Sequence, residues 1–463
     1  KHRGSSSRSA VAWGALEMAC GVRIATPPPC HSGPGASGAM APYCRCLPIL
    51  LSAASMLLLQ GCGGGGGTPP APSPPTPPPP APPAPAPSPA PGPKRTTVMV
   101  MRHCVRSTPS GGVAAVPNHD RYDDYSELRW ADFSVPSMFC LPRGEDIVEG
   151  QGRWWRSRGG LEPPLHVVAD LLPKDLGQRD NVTMRRFLKG LGLHVDASNV
   201  TLDHGPFAPC GSAACALNTS QLLASAEQHL RENPPPPGYA AKLQALFAAL
   251  GTGVVGDWTG LACNLTLLRD GLPMPSGACQ AASEFVERLL MEVGGGMEVG
   301  WGRMRPDQVT QLLGLHSWHF FNWFAPPETH RYFGASMART VLRHLEAAEG
   351  GTRLFVGHDS DIMMLKGALG LAWEPAPFPD NATTPGSMLR IVREGDRVTA
   401  TFFYVRDFSE GTGDMAAVNA TFASSPSGDI SFTELGSLLR TGSHAACACP
   451  SSPEAHHRAE LVV

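Results

Sequence analysis

The stretch Val98-Met99-Val100-Met101-Arg102-His103-Cys104-Val105-Arg106 decides how this chain is read. An apolar run ends abruptly in an Arg-His pair, and a second arginine follows three residues after the histidine. Much later the pattern returns in shorter form, where Arg353-Leu354-Phe355-Val356-Gly357 ends in His358-Asp359. Continuous apolar runs are the mark of buried strands in an α/β sheet. Ligands in such sheets bind beyond the carboxyl ends of the strands, at a switch in strand order. If the two strands are neighbours, Arg102, His103, Arg106, His358 and Asp359 converge there. They would form a phosphate-sized cluster of positive charge with one acid beside it.

The rest of the chain bounds the setting of that cluster. Its 463 residues suffice for a full enzyme domain with a large core. The net charge of -3 comes without the basic block that nucleic-acid binding needs, so no nucleic-acid partner is expected. Residues 63–94 are a glycine run followed by Pro, Ala, Ser and Thr in near-repeat. Such a segment cannot bury side chains and favours an extended polyproline rod, so it reads as a stalk. Its composition resembles the hydroxyproline-rich stalks of extracellular matrix proteins, which suggests tethering at a cell wall or membrane surface. Upstream, residues 40–62 hold Arg45 and an apolar run from Leu47 to Leu59 that is too short to span a bilayer. They read as a secretory signal peptide. Leu59-Gln60-Gly61-Cys62 offers the alternative of a lipid anchor on Cys62. Residues 1–39 receive no assignment.

Two further counts point to secretion. Six of the nine asparagines (181, 199, 218, 264, 381 and 419) stand in Asn-X-Ser/Thr sequons, more than chance supplies. Eight cysteines follow the stalk, and an even number in an oxidising compartment suggests disulfides. Cys263 and Cys279 flank one loop and are expected to pair. Cys447 and Cys449 are expected to tie the tail to Cys210 or Cys215, since their one-residue gap is too short for a zinc knuckle.

Periodicity predicts strands at 96–101 and 165–172, and a helix over 181–191. Amphipathic helices follow at 219–250 and 280–292, with another at 327–347. Then come a strand at 353–357, a helix at 361–370, and strands at 388–394 and 398–405. Strands at both ends with helices between them predict an α/β domain: a mostly parallel sheet flanked by helices, with a smaller helical insertion. The domain is expected over 95–463, with the insertion at roughly 110–165 and 205–300.

The cluster suits one chemistry well. A phosphomonoester needs its oxygens held and its transition-state charge balanced, which the planar, permanently charged arginine fork does. Neutral imidazole can attack phosphorus in line and form a phosphohistidine. The leaving alkoxide then needs a proton, which an aspartic acid can give. His103 is thus a candidate nucleophile, Arg102 and Arg106 candidate phosphate ligands, His358 a further donor, and Asp359 the candidate acid.

These residues resemble a known family. Arg102-His103-Cys104-Val105-Arg106-Ser107-Thr108-Pro109 is similar to the Arg-His-Gly-X-Arg-X-Pro signature of histidine acid phosphatases. Gly357-His358-Asp359-Ser360-Asp361-Ile362 resembles that family's Gly-His-Asp-(Thr/Ser)-Asn-(Leu/Ile) motif. Leu141-Pro142-Arg143-Gly144, Gly300-Trp301-Gly302-Arg303, Leu315-His316-Ser317 and Pro379-Asp380-Asn381 with Pro385-Gly386 resemble further elements of its periplasmic phytase and glucose-1-phosphatase branch. The resemblance implies a secreted acid phosphatase acting on a small phosphomonoester, phytate included, with no metal and no cofactor. It also implies Arg179 as a third phosphate-binding arginine, and Glu287 and His316 in the substrate pocket. Two departures stand out. Cys104 replaces a signature glycine, which would strain it if the position needs positive φ. Asp361 replaces an asparagine and would add a negative charge beside an anion site. The rival reading is a catalytically altered phosphatase-like matrix or binding protein.

Overall fold

A computed structural model describes residues 94–108, 128–171, 178–194, 200–208, 218–251, 263–268, 271–347, 350–425 and 427–441. The signal and stalk segments, Cys62, Cys210, Cys215, Cys447, Cys449 and the Asn199 sequon lie outside these residues. The chain runs β1 (Arg95–Arg102), α1 (Pro142–Arg156), β2 (Leu165–Ala169), α2 (Gln178–Leu191) and β3 (Val200–Leu202). It continues with α3 (Thr219–Glu232), α4 (Tyr239–Leu250), β4 (Asn264–Leu267), β5 (Pro273–Ser276), α5 (Ala278–Gly295) and α6 (Pro306–Phe324). Next are α7 (Pro327–Phe333), α8 (Ala335–Glu346), β6 (Gly351–Gly357), α9 (Asp359–Leu369) and β7 (Leu371–Ala372). The last elements are β8 (Met388–Glu394), β9 (Arg397–Val405), β10 (Met415–Phe422), β11 (Asp429–Ser431) and α10 (Phe432–Thr441).

The main sheet is mixed, in the order β3-β2-β6-β1-β8-β9-β10-β7, with β11 paired to β9. Its core strands β3, β2, β6 and β1 are parallel to one another. From β8 onward the pairing is antiparallel. The α/β expectation therefore holds, and β1 is the seam between two halves. The β1–β6 register, which pairs Arg102 with Gly357, brings the two motifs side by side.

The apolar run of β1 is continuous because both faces of the sheet are covered. Val98 and Val100 pack into a core shared with α5, α6, α8 and α9. Met99 and Met101 pack with Val148, Trp155, Phe187 and Leu188 of α1 and α2 on the other face. Several predicted elements are cut shorter than expected. Four consecutive prolines from Pro234 to Pro237 split the 219–250 helix into α3 and α4. Gly334 divides 327–347 into α7 and α8. Strand β2 stops at Ala169 rather than residue 172.

Cys263 and Cys279 form the expected disulfide, next to the small β4–β5 hairpin. A second disulfide joins Cys104 to Cys140 across a sequence separation of 36 residues. Of the sequon asparagines, Asn218, Asn264 and Asn419 are exposed, while Asn181 and Asn381 are half-buried. None of the described helices is long and apolar enough to cross a membrane.

Candidate active site

Arg102 closes β1, and the His103 amide donates to the Gly357 carbonyl at 2.9 Å. The ladder between β1 and β6 thus sets the first motif against the second. The His103 ring is buried, and its Nδ1 lies 2.9 Å from the Cys104 carbonyl oxygen. A carbonyl only accepts, so Nδ1 carries the hydrogen and Nε2 keeps its lone pair. Burial, then the charges of Arg179, Arg106 and Arg102, push the His103 pKa well below the ordinary histidine value. The ring is therefore neutral and nucleophilic at Nε2.

Two flanking glycines explain parts of the motifs. A Cβ on Gly144 would sit 2.3 Å from the Val105 carbonyl oxygen, so the glycine lets α1 press against the loop that follows His103. Gly386, at φ +71°, donates its amide to the His103 carbonyl at 2.9 Å. A side chain there would be strained and would meet Gln151.

Three guanidinium groups surround the imidazole. Arg102 is fully buried and reaches Glu287 at 2.5 Å, Asp359 at 2.9 Å and the Thr383 carbonyl. Arg106 donates to Glu287 at 3.2 Å. Burial alone would raise the Glu287 carboxyl, but Arg106 and Arg102 outweigh it and hold its pKa at about 2. Arg179, at the start of α2, donates to His358 Nδ1 at 3.2 Å. The Nε atoms of all three arginines are buried without a hydrogen-bond partner among the described residues. Buried donors in that state favour an anion whose oxygens can accept from them.

On the far side, α9 begins at Asp359. One Asp359 oxygen accepts from the Ser360 amide, and the other forms an ion pair with Arg102. His316, on α6, is anchored through Nδ1 to the Ser283 hydroxyl at 2.9 Å. One ligand atom each from Glu287, His316 and Asp359 lies within 4.8 Å of the others. Asp170, Asp180 and His358 form a second such group. In both groups the carboxylates already face guanidinium or imidazole donors, and a cation would have to displace them.

Three findings bear on the sequence reading. Non-glycine residues with positive φ among the described residues are Met138, Trp301 and Asn381. Cys104 is not one of them, so the expected strain is absent, and its sulfur instead pins the loop after β1 to Cys140. Asp361 is buried and accepts from the His358 amide at 2.9 Å. Burial raises its pKa to about 8, so up to neutral pH it is an uncharged acid and adds no negative charge. His358 was expected as a donor to phosphate. As placed, its Nε2–H donates to Asp170 Oδ2 at 2.9 Å, while Nδ1 accepts from Arg179. Toward the cluster it therefore offers a lone pair until it is protonated.

All eight residues singled out in the sequence (Arg102, His103, Arg106, Arg179, Glu287, His316, His358 and Asp359) thus belong to one network. Sequence reasoning missed Asp170, His204 and the Cys104–Cys140 bridge. Asp170 had a usable signal, since it ends the apolar run Val167-Val168-Ala169 as His103 and His358 end theirs.

No family model matches the chain. It is 26% identical over 348 residues to the phytase AppA of Escherichia coli (strain K12), covering 64% of this chain and 75% of that protein. Its fold superposes on a Hafnia alvei phytase in complex with myo-inositol hexakis sulphate with a TM-score of 0.65. That match has 22% identity and covers 78% of this chain and 99% of the other. A Citrobacter braakii phytase gives a TM-score of 0.63 at 22% identity, over 77% and 99% of the two chains. The chain has the fold of these phytases, and its two motifs are similar to those of the histidine acid phosphatases. Within that fold, both motifs lie at the carboxyl ends of neighbouring parallel strands, β1 and β6.

Proposed function

We propose that this chain is a phosphoric monoester hydrolase that works through a phosphohistidine on His103. The observation that carries this reading is a buried, neutral imidazole whose Nδ1 is committed to a carbonyl and whose pKa three neighbouring guanidinium groups lower. Arg102, Arg106 and Arg179 take the phosphoryl oxygens and balance the transition-state charge. His103 Nε2 attacks phosphorus while the ester oxygen leaves, taking a proton from the acid form of Asp359. Water then attacks the phosphohistidine, Asp359 accepts its proton, and inorganic phosphate departs. Glu287 now occupies Arg102 and Arg106, so an incoming phosphate must share or displace that carboxylate.

Phytate is the substrate class that the named relatives suggest. Secretion is supported by the apolar segment at 40–62, the density of sequons and two disulfides. On this reading 63–94 tethers the 95–463 domain at a cell wall or membrane surface. The test is release of inorganic phosphate by the purified chain from a panel of alkyl phosphates, sugar phosphates and phytate across acid to neutral pH. Release by the native chain that falls to background in His103→Ala supports the reading. Binding of phosphate esters with no turnover on any of them favours the non-catalytic alternative.

A further inference from the structure

Three neighbouring parallel strands, β3, β2 and β6, end at one level of the sheet. Just past those ends stand His204, Asp170 and His358. The Asp170 amide donates to the Val356 carbonyl, and the Asp203 amide to the Ala169 carbonyl, both within 3.0 Å. The backbone ladder thus sets the three side chains in a row. Asp170 is 1% exposed, and both of its oxygens are used. Oδ1 meets His204 Nδ1 at 2.6 Å, and Oδ2 meets His358 Nε2 at 2.9 Å. The His204 side chain is 26% exposed and so reaches solvent.

We infer that Asp170 and His204 are positioning residues for His358: together they fix its tautomer and supply the counter-charge for its second proton. With Nε2–H committed to Asp170, only Nδ1 remains for an incoming anion. Arg179 donates to Nδ1 as placed, so a phosphate oxygen can be met there only once Nδ1 takes a proton from solvent. That proton makes an imidazolium, which the buried Asp170 carboxylate stabilises. His204 controls how much negative charge Asp170 has to offer.

The titratable and charged groups around this row come from every neighbouring element. Arg179 and Asp180 face it from α2, His103 from β1, Asp359 and Asp361 from α9, and Asp203 from beside His204. Burial and then Arg179 lower the His358 pKa, while Asp170 opposes them. The hydrogen bond to Asp170 raises that of His204. The link to phosphate rests on the phosphatase reading, but the tautomer of His358 does not.

The test uses the full chain, inorganic phosphate as the probe, and nitrogen NMR of the histidine rings. His358 is expected as the Nε2–H tautomer, gaining its second proton when phosphate binds. Asp170→Asn removes the counter-charge. Phosphate affinity should fall about tenfold, and the upper pH limit of binding should move down by about one unit. His204→Ala strips a donor from Asp170 and makes it a stronger base, so that limit should move up. His204→Asn, whose amide restores a donor near the Nδ1 position, should return it toward the native value. Shifts in opposite directions are not what general damage to the fold produces. An Nδ1–H tautomer of His358, or pH limits that stay fixed or move together, would overturn the inference. If phosphate does not bind the native chain at all, the phosphatase reading fails, and the tautomer alone decides the roles of Asp170 and His204.

Discussion

The two halves of the main sheet share one core and differ in what they place at their ends. The parallel half, β3-β2-β6-β1, delivers His204, Asp170, His358, Arg102 and His103 beyond neighbouring carboxyl ends. The antiparallel half, β8 to β10, supplies apolar mass such as Phe402, which is fully buried and stacked on Trp373 at 4.5 Å between ring centroids. Parallel strands aim all their carboxyl ends the same way, so each can add an ionisable residue to one site. Antiparallel neighbours send alternate ends to opposite edges and gather no such cluster. In this chain the strand-borne residues of the candidate site lie on one half, while the other half supplies apolar packing.

The sharpest way to break that division is to change one atom at the parallel end. Asp359→Asn should slow cleavage of alkyl phosphates by about a thousandfold, because the alkoxide loses its proton donor. Cleavage of p-nitrophenyl phosphate should fall much less, since nitrophenolate leaves without a proton. Equal losses on both substrates would mean that Asp359 only binds or supports.

Phe402→Ala tests the other half. Removing a fully buried ring should lower unfolding free energy by about 3–5 kcal/mol. The kcat/KM at a temperature where the variant is folded should stay near native. A large loss of turnover in the folded variant would show that the division between the halves is false.

Asp361→Asn gives a smaller effect and sharpens the parallel half. A buried carboxyl with its pKa raised to about 8 prefers its acid form, whereas an ordinary unfolded Asp is ionised above about 4. The unfolded state therefore gains from ionisation as pH rises from about 4 to 8, and the native protein loses stability over that window. Asparagine does not titrate, so the variant should lose less stability across it, with a gain of a few kcal/mol near neutral pH. Denaturant titrations at several pH values measure this. Parallel stability curves for the two proteins would show Asp361 to be ionised in the fold.

What could be read from residues alone follows the same division. Strands β1 and β6 were legible because burial on both faces leaves unbroken apolar runs ending in charge. Strand β8 was legible through Met388–Glu394, bounded by Gly386 and Gly395. Helix α6 was missed because Leu312, Leu313, Leu315, Trp318 and Phe324 leave it apolar on most faces and erase its period. Helix α1 was missed because three glycines and two tryptophans disguise it. Arg102, His103, Arg106, His358 and Asp359 were legible through paired motifs, since each motif carries several charges in short order, whereas Arg179, Glu287 and His316 came only through the resemblance to a family. Asp170 and His204 each stand alone at the end of a short strand. Only the β3-β2-β6 order makes them a group, and strand order is not a local property of sequence.

The most direct test of the central claim is to stop turnover within milliseconds under alkaline quench and map phosphate by mass spectrometry on the native chain and His103→Ala. The account predicts one phosphorylated peptide, carrying the modification on His103 and absent from the variant. A phosphoryl group on any other residue, or turnover that persists in His103→Ala, would contradict it.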